Sequence, residues 1–497
     1  MRRREAETLP GLLGELAVRF ADAPALLHDG DAVSFAELDA RSARVAGGLR
    51  ALGIGSGDRV ALWLPNRPEW LELHLALARL GALTVAVNTR FRAHEVEDIL
   101  ERSHARALAF APGFKDIDFE GILDSAGAPE TLIRVGVPAY EALRTARRAP
   151  DGSAPDAPCI TFTSSGTTGR PKLVVHGQRG IVRHARAVAR GFGYDEAGCV
   201  VLAMLPLCGV FGYDSALGAL AGGAPIVLQE AFDASEAARL IERHGVTDAN
   251  GSDTMLLRLF EAAPDPPLRE AGFAAFDGDP RRVVDAAERA GTTAYMCYGS
   301  TEVQALLAHA PTDGTPEQRA VAGGRPVDPE TEVRAGEDGE LEVRGPSVAA
   351  GYLGDAADPL TPDGFLRTGD LGSVTPEGFA FEGRIGDTMR LGGFLVSPRE
   401  IEAFLEEGDD IAAAAVVAVE DDGAQRPVAF VVATEGAVAD TGAALERCRA
   451  RLAGFKVPRR VIALDALPVT ESANGRKVRR AELRRLAADA LQPTTTE

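Results

Sequence analysis

Residues 161–172 form a segment rich in hydroxyl groups and glycine that could bind phosphate. The segment reads Thr-Phe-Thr-Ser-Ser-Gly-Thr-Thr-Gly-Arg-Pro-Lys and includes the end of an apolar run that starts at Cys159 and predicts a strand. Glycine lets backbone N–H groups approach an anion closely, serine and threonine add short donors, and Lys172 adds positive charge. It is not a Walker A loop, because the Gly-x-x-x-x-Gly-Lys-Ser/Thr spacing is absent and Leu173 follows the lysine. We predict that the segment wraps the phosphates of a nucleotide, in preference to a flexible linker.

Four more segments follow in a fixed order. Residues 298–302 read Tyr-Gly-Ser-Thr-Glu, residues 365–370 read Phe-Leu-Arg-Thr-Gly-Asp, residues 383–402 begin Gly-Arg-Ile-Gly-Asp, and residues 468–478 end Asn-Gly-Arg-Lys-Val. Together with residues 161–172, they resemble the motifs of the acyl-adenylate-forming (AMP-binding) superfamily. This superfamily includes acyl-CoA synthetases, luciferases and the adenylation domains of peptide synthetases. The resemblance spans nearly the whole chain and is strongest to an acyl-CoA synthetase.

The resemblance implies a role at an ATP site for each matching residue. Glu302 would hold Mg²⁺ against the ATP phosphates, since a hard cation prefers carboxylate oxygen. Tyr298 would stack on adenine, although an isolated tyrosine is more often a core aromatic. Asp370 would accept both ribose hydroxyls, with the turn aspartate as its alternative, and Arg384 would assist at the ribose. The nucleotide-binding residues implied are Thr163, Ser164, Ser165, Gly166, Thr168, Lys172, Tyr298, Gly299, Thr301, Asp370 and Arg384, and Thr167 joins Glu302 and Lys477 as a catalytic residue.

The tail motif contains two candidate cations. The resemblance implies that Lys477 bridges the attacking carboxylate and the α-phosphate, where two anions must meet. Arg476 is inserted between Gly475 and this lysine and is the competing candidate. We favour Lys477 because residues 478–483 keep the family spacing to it. Lysine is also rare here, since only four of the 53 basic residues are lysines.

The segment at residues 206–212 resembles the acid pocket of the family, with one departure. Gly209 stands where a histidine is common, and the missing imidazole would enlarge the site and remove a hydrogen-bond donor. Because of this departure, the identity of the substrate stays open. The control of the second step of the reaction, in which the activated acid is transferred to a thiol, stays open as well. Our candidates for the pocket walls are Gly209, Phe211, Phe276 and Ser300.

The spacing of apolar residues predicts an α/β protein. Residues 35–111 alternate helical and strand-like segments, which favours parallel sheets covered by helices. Further helices are predicted at 234–244 and 398–406, and further strands at 413–419 and 428–433.

These elements predict two domains. A large N-terminal domain of helix-covered sheets, residues 1–383, would bind ATP and the acid and would include a small β subdomain at about residues 325–383. A small, mobile α+β domain, residues 384–497, would carry Lys477. The family has a hinge at this junction, and Gly386 stands where a polar residue is usual, which would ease the backbone rotation.

Composition excludes several classes of protein. The formal net charge of −20 disfavours nucleic acid and anionic membranes as partners. The five cysteines are scattered and odd in number, which argues against a disulfide framework or a zinc site and fits a reducing cytoplasm.

The function predicted is activation of a small or medium carboxylic acid to acyl-AMP, with pyrophosphate release, followed by transfer to coenzyme A. The cofactors are ATP and Mg²⁺, coenzyme A is the default acceptor and a separate carrier protein the alternative, and the enzyme would be a cytoplasmic monomer or homodimer. Gly209 keeps a second hypothesis open, a diazotase that activates nitrite for reaction with an aromatic amine. A third hypothesis, a non-catalytic ATP-binding regulator, is disfavoured by the presence of Lys172, Glu302, Asp370 and Lys477.

Overall fold

The computed structural model of the chain describes most of its 497 residues. The described ranges are 5–164, 172–263, 266, 268–276, 279–354, 360–385, 389–391, 394–396, 398–421, 424–452, 454–472 and 475–491. Within these ranges, the side chains of residues 390, 394, 395, 400, 421, 424, 455, 471, 472 and 475–477 lie outside this description.

The chain divides into two compact units. The first unit consists of Met1–Arg334, Glu342–Thr368 and Val374–Ala380. The second consists of Ala335–Leu341, Gly369–Ser373 and Phe381–Glu497. The division between residues 383 and 384 that the motifs suggest stays a prediction, as does a β subdomain at about 325–383.

The helices of the first unit are α1 Leu9–Arg19, α2 Phe35–Ala51, α3 Pro68–Leu80, α4 Ala93–Ser103, α5 Phe119–Ala126, α6 Pro138–Arg144, α7 Gln178–Gly191, α8 Val210–Gly222, α9 Ala234–His244, α10 Asp253–Ala262, α11 Pro280–Arg289 and α12 Pro316–Arg319, with a 3₁₀ turn at Phe114–Asp116. Local sequence explains their bounds, and α9 is an example. The Asp233 carboxylate accepts a hydrogen bond from the N–H of Glu236 at the start of α9, and Gly245 ends the helix with a φ of 61°.

The strands up to residue 384 are β1 Pro24–His28, β2 Asp31–Ser34, β3 Arg59–Trp63, β4 Leu83–Ala86, β5 Ala107–Phe110, β6 Thr131–Arg134, β7 Pro158–Ser164, β8 Lys172–Gly177, β9 Val201–Ala203, β10 Ile226–Leu228, β11 Asp248–Ser252, β12 Glu270–Ala274, β13 Thr293–Ser300, β14 Gln304–His309, β15 Gly323–Pro326, β16 Glu332–Ala335, β17 Glu340–Arg344, β18 Gly351–Leu353, β19 Leu366–Thr375 and β20 Gly378–Arg384.

Two sheets organise the first unit. One has the order β18-β8-β7-β4-β3-β5-β6, in which β7, β4, β3, β5 and β6 are parallel, and β8 and β18 add antiparallel pairings. The other contains the order β15-β14-β13-β12-β11-β9-β10-β1-β2, which is parallel from β13 to β1. Most of the central strands are apolar because helices cover both faces of the sheets, although β11 carries the buried polar side chains of Asp248, Asn250 and Ser252. The predicted α/β class is confirmed.

The second unit has a small core of its own. Its elements are β21 Met389–Leu391, β22 Phe394–Val396, α13 Pro398–Glu406, β23 Ile411–Asp421, β24 Ala424–Ala433, α14 Thr441–Arg451, a 3₁₀ turn at Gly454–Lys456, β25 Arg460–Ala463, β26 Val469–Ser472, β27 Gly475–Val478 and α15 Arg480–Leu491. Strands β23, β24 and β25 form one sheet, and β26 and β27 form a hairpin. Among the described residues, no helix is long and apolar enough to cross a membrane.

Candidate active site

The predicted phosphate loop connects the two strands of a hairpin. Ser164, the last residue of β7, lies directly opposite Lys172, the first residue of β8. Thr163 and Ser164 are half-buried at the end of β7. The antiparallel pairing therefore brings Ser164 and Lys172, which flank the predicted loop, together at the end of the β7–β8 strand pair.

Four of the predicted site residues in this loop lie outside the described part of the chain. They are Ser165, Gly166, Thr167 and Thr168. Their roles, including the catalytic role of Thr167, stay predictions.

The second motif forms a tight turn, which we call the Glu302 turn (residues 300–305). Ser300 at the end of β13 pairs with Gln304 at the start of β14, so Glu302 lies at the tip of the hairpin. Gln304 has a φ of 64°, which is uncommon for a residue with a side chain. The hydroxyl of Ser164 donates to Oε1 of Glu302 over 3.3 Å. This contact joins the start of the phosphate loop to the predicted metal-binding carboxylate.

Gly299 lets the two strands of this hairpin approach closely. A Cβ at this position would lie 2.3 Å from the carbonyl oxygen of Ala305, a backbone atom that cannot rotate away. A side chain at residue 299 would therefore push the Glu302 turn out of place.

We expect Gly299→Ala to lower the free energy of unfolding by about 1–3 kcal/mol, the usual cost of overpacking, and to weaken ATP binding. Thermal denaturation and the KM for ATP measure the two effects. Gly55→Ala is the control, because a Cβ at Gly55 meets nothing within 4 Å. A Gly299→Ala protein that matches the control in both measurements would contradict the close-approach argument.

Tyr298 lies beside the Glu302 turn on β13. Its side chain is buried and packs edge-on against Phe379, with ring centroids 4.9 Å apart and an interplanar angle of 81°. Edge-to-face packing of this kind holds an aromatic ring in one orientation. The stacking of Tyr298 on adenine stays a prediction.

Lys172 contacts an aromatic residue that the motifs did not indicate. Its Nζ lies 4.8 Å from the ring centroid of Tyr352 on β18, and β18 pairs with β8. An ammonium group over an aromatic face is attracted by the negative face of the ring. Tyr352 therefore helps to hold the lysine at the end of the phosphate loop.

The predicted ribose-binding residues lie together in the second unit. Nε of Arg384 is 2.9 Å from Oδ1 of Asp370, and the Asp370 side chain is only 3% exposed. The N–H of Gly369 donates to Glu340 over 2.8 Å, and the N–H of Ile385 donates to the Gly369 carbonyl over 2.9 Å. These bonds fix the part of β19 that carries Asp370. The predicted hinge residue Gly386 lies outside the described part of the chain.

The predicted acid-pocket residues lie in three elements of the first unit. Gly209 is the N-cap of α8, and Phe211 is in the first turn of that helix, where it belongs to the main hydrophobic core. Phe276, which follows β12, and Ser300 at the end of β13 are both half-buried. Their contact with a substrate stays a prediction.

Two buried side chains bind the Glu302 turn, and the motifs indicated neither of them. Nε2 of His176 lies 2.8 Å from the carbonyl oxygen of Thr301, and Oδ2 of Asp214 accepts from the N–H of Ala305 over 2.8 Å. Burial lowers the pKa of His176 to about 4, so the ring is neutral and its Nε2–H donates. The available signal was polarity alone, since each residue interrupts an apolar segment.

The five cysteines are buried free thiols. Burial raises the pKa of Cys208, next to Gly209, to about 12. Burial, with the nearby Asp248 carboxylate, also raises the pKa of Cys199 to about 12. A thiol that stays protonated is a poor nucleophile, so the structure does not favour catalysis by a cysteine.

The residues present fit a magnesium ion that arrives with a nucleotide. Within the described ranges, no group of three or more His, Cys, Asp or Glu residues could hold a metal ion on its own. Mg²⁺ is usually bound by one or two carboxylates together with substrate phosphates. Glu302, half-buried and hydrogen-bonded to Ser164 at the end of β7, has a carboxylate that would suit this role, and its binding of Mg²⁺ stays a prediction.

Comparison with known proteins assigns two long segments of the chain to families of AMP-binding enzymes. Residues 14–353 match the family described as AMP-binding enzyme, and residues 400–474 match the AMP-binding enzyme C-terminal domain.

Two curated relatives cover nearly the whole chain. A methyl-dioxo-octahydro-indenyl propanoyl:CoA ligase of Mycobacterium tuberculosis is 33% identical over 97% of this chain and 99% of its own length. The 2-succinylbenzoate–CoA ligase of Geobacillus kaustophilus is 31% identical over 96% of this chain and 98% of its own.

A solved structure agrees with these relatives. The O-succinylbenzoate coenzyme A synthetase of Bacillus subtilis in complex with AMP is similar, with a TM-score of 0.81 at 27% identity, over 95% of this chain and 98% of that one. The chain therefore belongs to the AMP-binding enzyme family and is an adenylate-forming ligase, as its motifs predicted.

Proposed function

We propose that this enzyme activates a carboxylic acid as an acyl-adenylate and then transfers the acyl group to coenzyme A. The observation that carries the proposal is the contact between Ser164 and Glu302. This contact supports the proposal because Ser164 begins the predicted phosphate loop and Glu302 has the kind of carboxylate that binds Mg²⁺. Such a pair serves a reaction at a nucleoside triphosphate.

In the first half-reaction, an oxygen of the acid attacks the α-phosphorus of ATP and pyrophosphate leaves. The loop between β7 and β8 binds the phosphates, and Lys172 adds positive charge there. Glu302 would hold Mg²⁺, which neutralises phosphate charge when bound. Lys477 stabilises the charge that develops as the two anions meet.

In the second half-reaction, a thiol sulfur attacks the acyl carbonyl carbon and AMP leaves. Coenzyme A is the proposed acceptor because the relatives that are 33% and 31% identical are both named as CoA ligases. A separate carrier protein is the alternative acceptor. Location in the cytoplasm and a monomeric or homodimeric state stay predictions.

The proposed substrate is a medium-sized acid that carries a ring. The names of the relatives include succinylbenzoate, feruloyl and indoleacetate, each with a ring system. Gly209 supports the same choice, because it leaves out the imidazole that would otherwise occupy part of the pocket. Aliphatic acids such as acetate would leave such a pocket largely unfilled.

Acid-dependent release of pyrophosphate from ATP tests the proposal. The panel contains 2-succinylbenzoate, ferulate, indoleacetate, octanoate and acetate, each with and without coenzyme A. We expect pyrophosphate release with a ring-bearing acid, and a thioester only when coenzyme A is added.

The other outcomes identify the rival functions. Pyrophosphate release with nitrite and an aryl amine, but with no acid, would favour the diazotase. ATP binding without pyrophosphate release in any reaction would favour the regulator, and both results contradict the proposal.

A further inference from the structure

The Glu302 turn is held at both ends by buried side chains from other elements. His176, in β8, donates to the carbonyl of Thr301 just before Glu302, and Asp214, in α8, accepts from the N–H of Ala305 just after it. Each of the two residues is only 2% exposed. We call His176 and Asp214 the turn clamp.

The turn needs such support because its backbone is strained. Gln304 has a φ of 64°, and it lies between Glu302 and Ala305. A residue in this conformation persists only where its surroundings determine it strongly. The N–H of Ala349 also donates to the carbonyl of Glu302 over 2.8 Å, so the tip of the turn is bonded between the two clamped ends.

Asp214 is unusual in its helix. The helix α8 reads Val-Phe-Gly-Tyr-Asp-Ser-Ala-Leu-Gly-Ala-Leu-Ala-Gly, and Asp214 is the only acidic or basic residue in it. Burying a carboxyl group among apolar residues is costly unless it is hydrogen-bonded. The Asp214 side chain uses its Oδ2 for the turn, so this bond gives a physical reason for an acid at this position.

A third buried residue lies beside the clamp. Nε2 of His184, in α7, is 3.8 Å from Oδ2 of Asp214, and neither ring nitrogen of His184 has a hydrogen-bond partner among the residues that the structure describes. Burial lowers the pKa of His184 to about 3, so the ring is neutral. At 3.8 Å His184 makes no hydrogen bond to Asp214, so Oδ2 stays available to the N–H of Ala305.

We propose that Asp214 is a positioning residue for adenylation, which acts through the N–H of Ala305 to fix Glu302 beside Ser164. The inference rests on the proposed function, because it assigns Asp214 a part in the first half-reaction. Asp214 itself touches no reacting atom in the proposed reaction. Its effect should therefore appear in the step that needs Glu302 and be absent from thiol transfer.

Two variants of Asp214, Asp214→Asn and Asp214→Leu, distinguish a role in hydrogen bonding to the turn from a role in packing alone. Asp214→Asn keeps an oxygen that can accept from Ala305, whereas Asp214→Leu keeps a similar volume without an acceptor. We expect Asp214→Leu to slow pyrophosphate release about tenfold, the effect of one lost hydrogen bond of ordinary strength, and to raise the Mg²⁺ concentration required. We expect Asp214→Asn to restore most of the rate.

Thiol transfer from supplied acyl-AMP is the second measurement, and we expect it to be unchanged in both variants. Ser215→Ala is the matched control, because Ser215 neighbours Asp214 but its Oγ bonds Asn250 instead of the turn. Equal loss of both half-reactions in Asp214→Leu, as a purely structural role requires, would overturn the proposal.

His176 provides an independent test if Asp214→Leu does not fold. His176→Gln keeps an N–H donor, and His176→Leu removes it. The same split between the two half-reactions is expected for His176→Leu, and equal rates for His176→Leu and His176→Gln would contradict the clamp. A wild-type enzyme without pyrophosphate release would instead contradict the proposed function, so the two failures are distinguishable.

Discussion

Lys477→Ala is expected to slow acyl-adenylate formation by about 10²–10³-fold, the usual loss when one preorganised donor is removed from a developing charge. Transfer of the acyl group from supplied acyl-AMP to coenzyme A should continue. The backbone of Lys477 lies in the β26–β27 hairpin opposite Thr470. Pyrophosphate exchange measures the first step, and thioester formation from acyl-AMP measures the second.

The adjacent arginine is the matched control. The backbone of Arg476 lies opposite that of Glu471 in the same hairpin, and Arg476→Ala removes a cation one residue away from Lys477. We expect little change in adenylation for Arg476→Ala. The opposite result would make Arg476 the tail cation, and equal loss of both half-reactions in Lys477→Ala would contradict the assigned role.

The substitution should leave the second unit folded, because the structure after the hairpin is anchored elsewhere. Arg480, the first residue of α15, donates to Glu402 over 2.8 Å and to the carbonyl of Val416 over 2.7 Å. Glu402 is buried and also accepts from the N–H of Val416 over 2.8 Å. A loss of activity in Lys477→Ala can therefore be read as a loss of charge.

Glu302→Gln is expected to slow pyrophosphate release by about 10²-fold or more, since charge stabilisation through a metal ion is worth several kcal/mol. The amide oxygen of glutamine can still accept from the Ser164 hydroxyl, so the turn should keep its shape. Neutral oxygen is a weaker ligand for Mg²⁺, and the Mg²⁺ concentration required should rise. The measurement is the Mg²⁺ dependence of pyrophosphate exchange at saturating ATP.

Ser164→Ala distinguishes the carboxylate from its hydrogen bond. This variant keeps the charge of Glu302 and removes only the hydroxyl contact, so a loss of about tenfold or less is expected. An unchanged Mg²⁺ dependence in Glu302→Gln would mean that residue 302 is not the metal ligand.

The parts of the fold that sequence predicted well depend on local signals. The helices expected at 234–244 and 398–406 have these bounds in the structure, as α9 and α13. In α9, the cap at Asp233, the apolar spacing and the glycine at the end, Gly245, all lie between residues 233 and 245. Local signals cannot show which strands become neighbours, so the order of the strands within the two sheets is known only from the structure.

The site was predictable only in part, for the same reason. Ser164 and Glu302 are 138 residues apart in sequence, and their motifs indicated that both bind one nucleotide. His176 and Asp214 belong to no motif. His176 is 125 residues away in sequence from its partner in the Glu302 turn, and Asp214 is 91 residues away from its own. An isolated histidine or aspartate in an apolar segment does not indicate its partner. Tyr352 went unpredicted for the same reason.

The burial of the cysteines affects whether the enzyme is acylated by its own acyl-adenylate intermediate. An acyl-adenylate reacts with thiolates, and an accessible one would become covalently acylated during each catalytic cycle. With pKa values of about 12, Cys199 and Cys208 are almost wholly protonated at neutral pH. Neither thiol should therefore capture the intermediate, and we expect both to resist alkylation by maleimides.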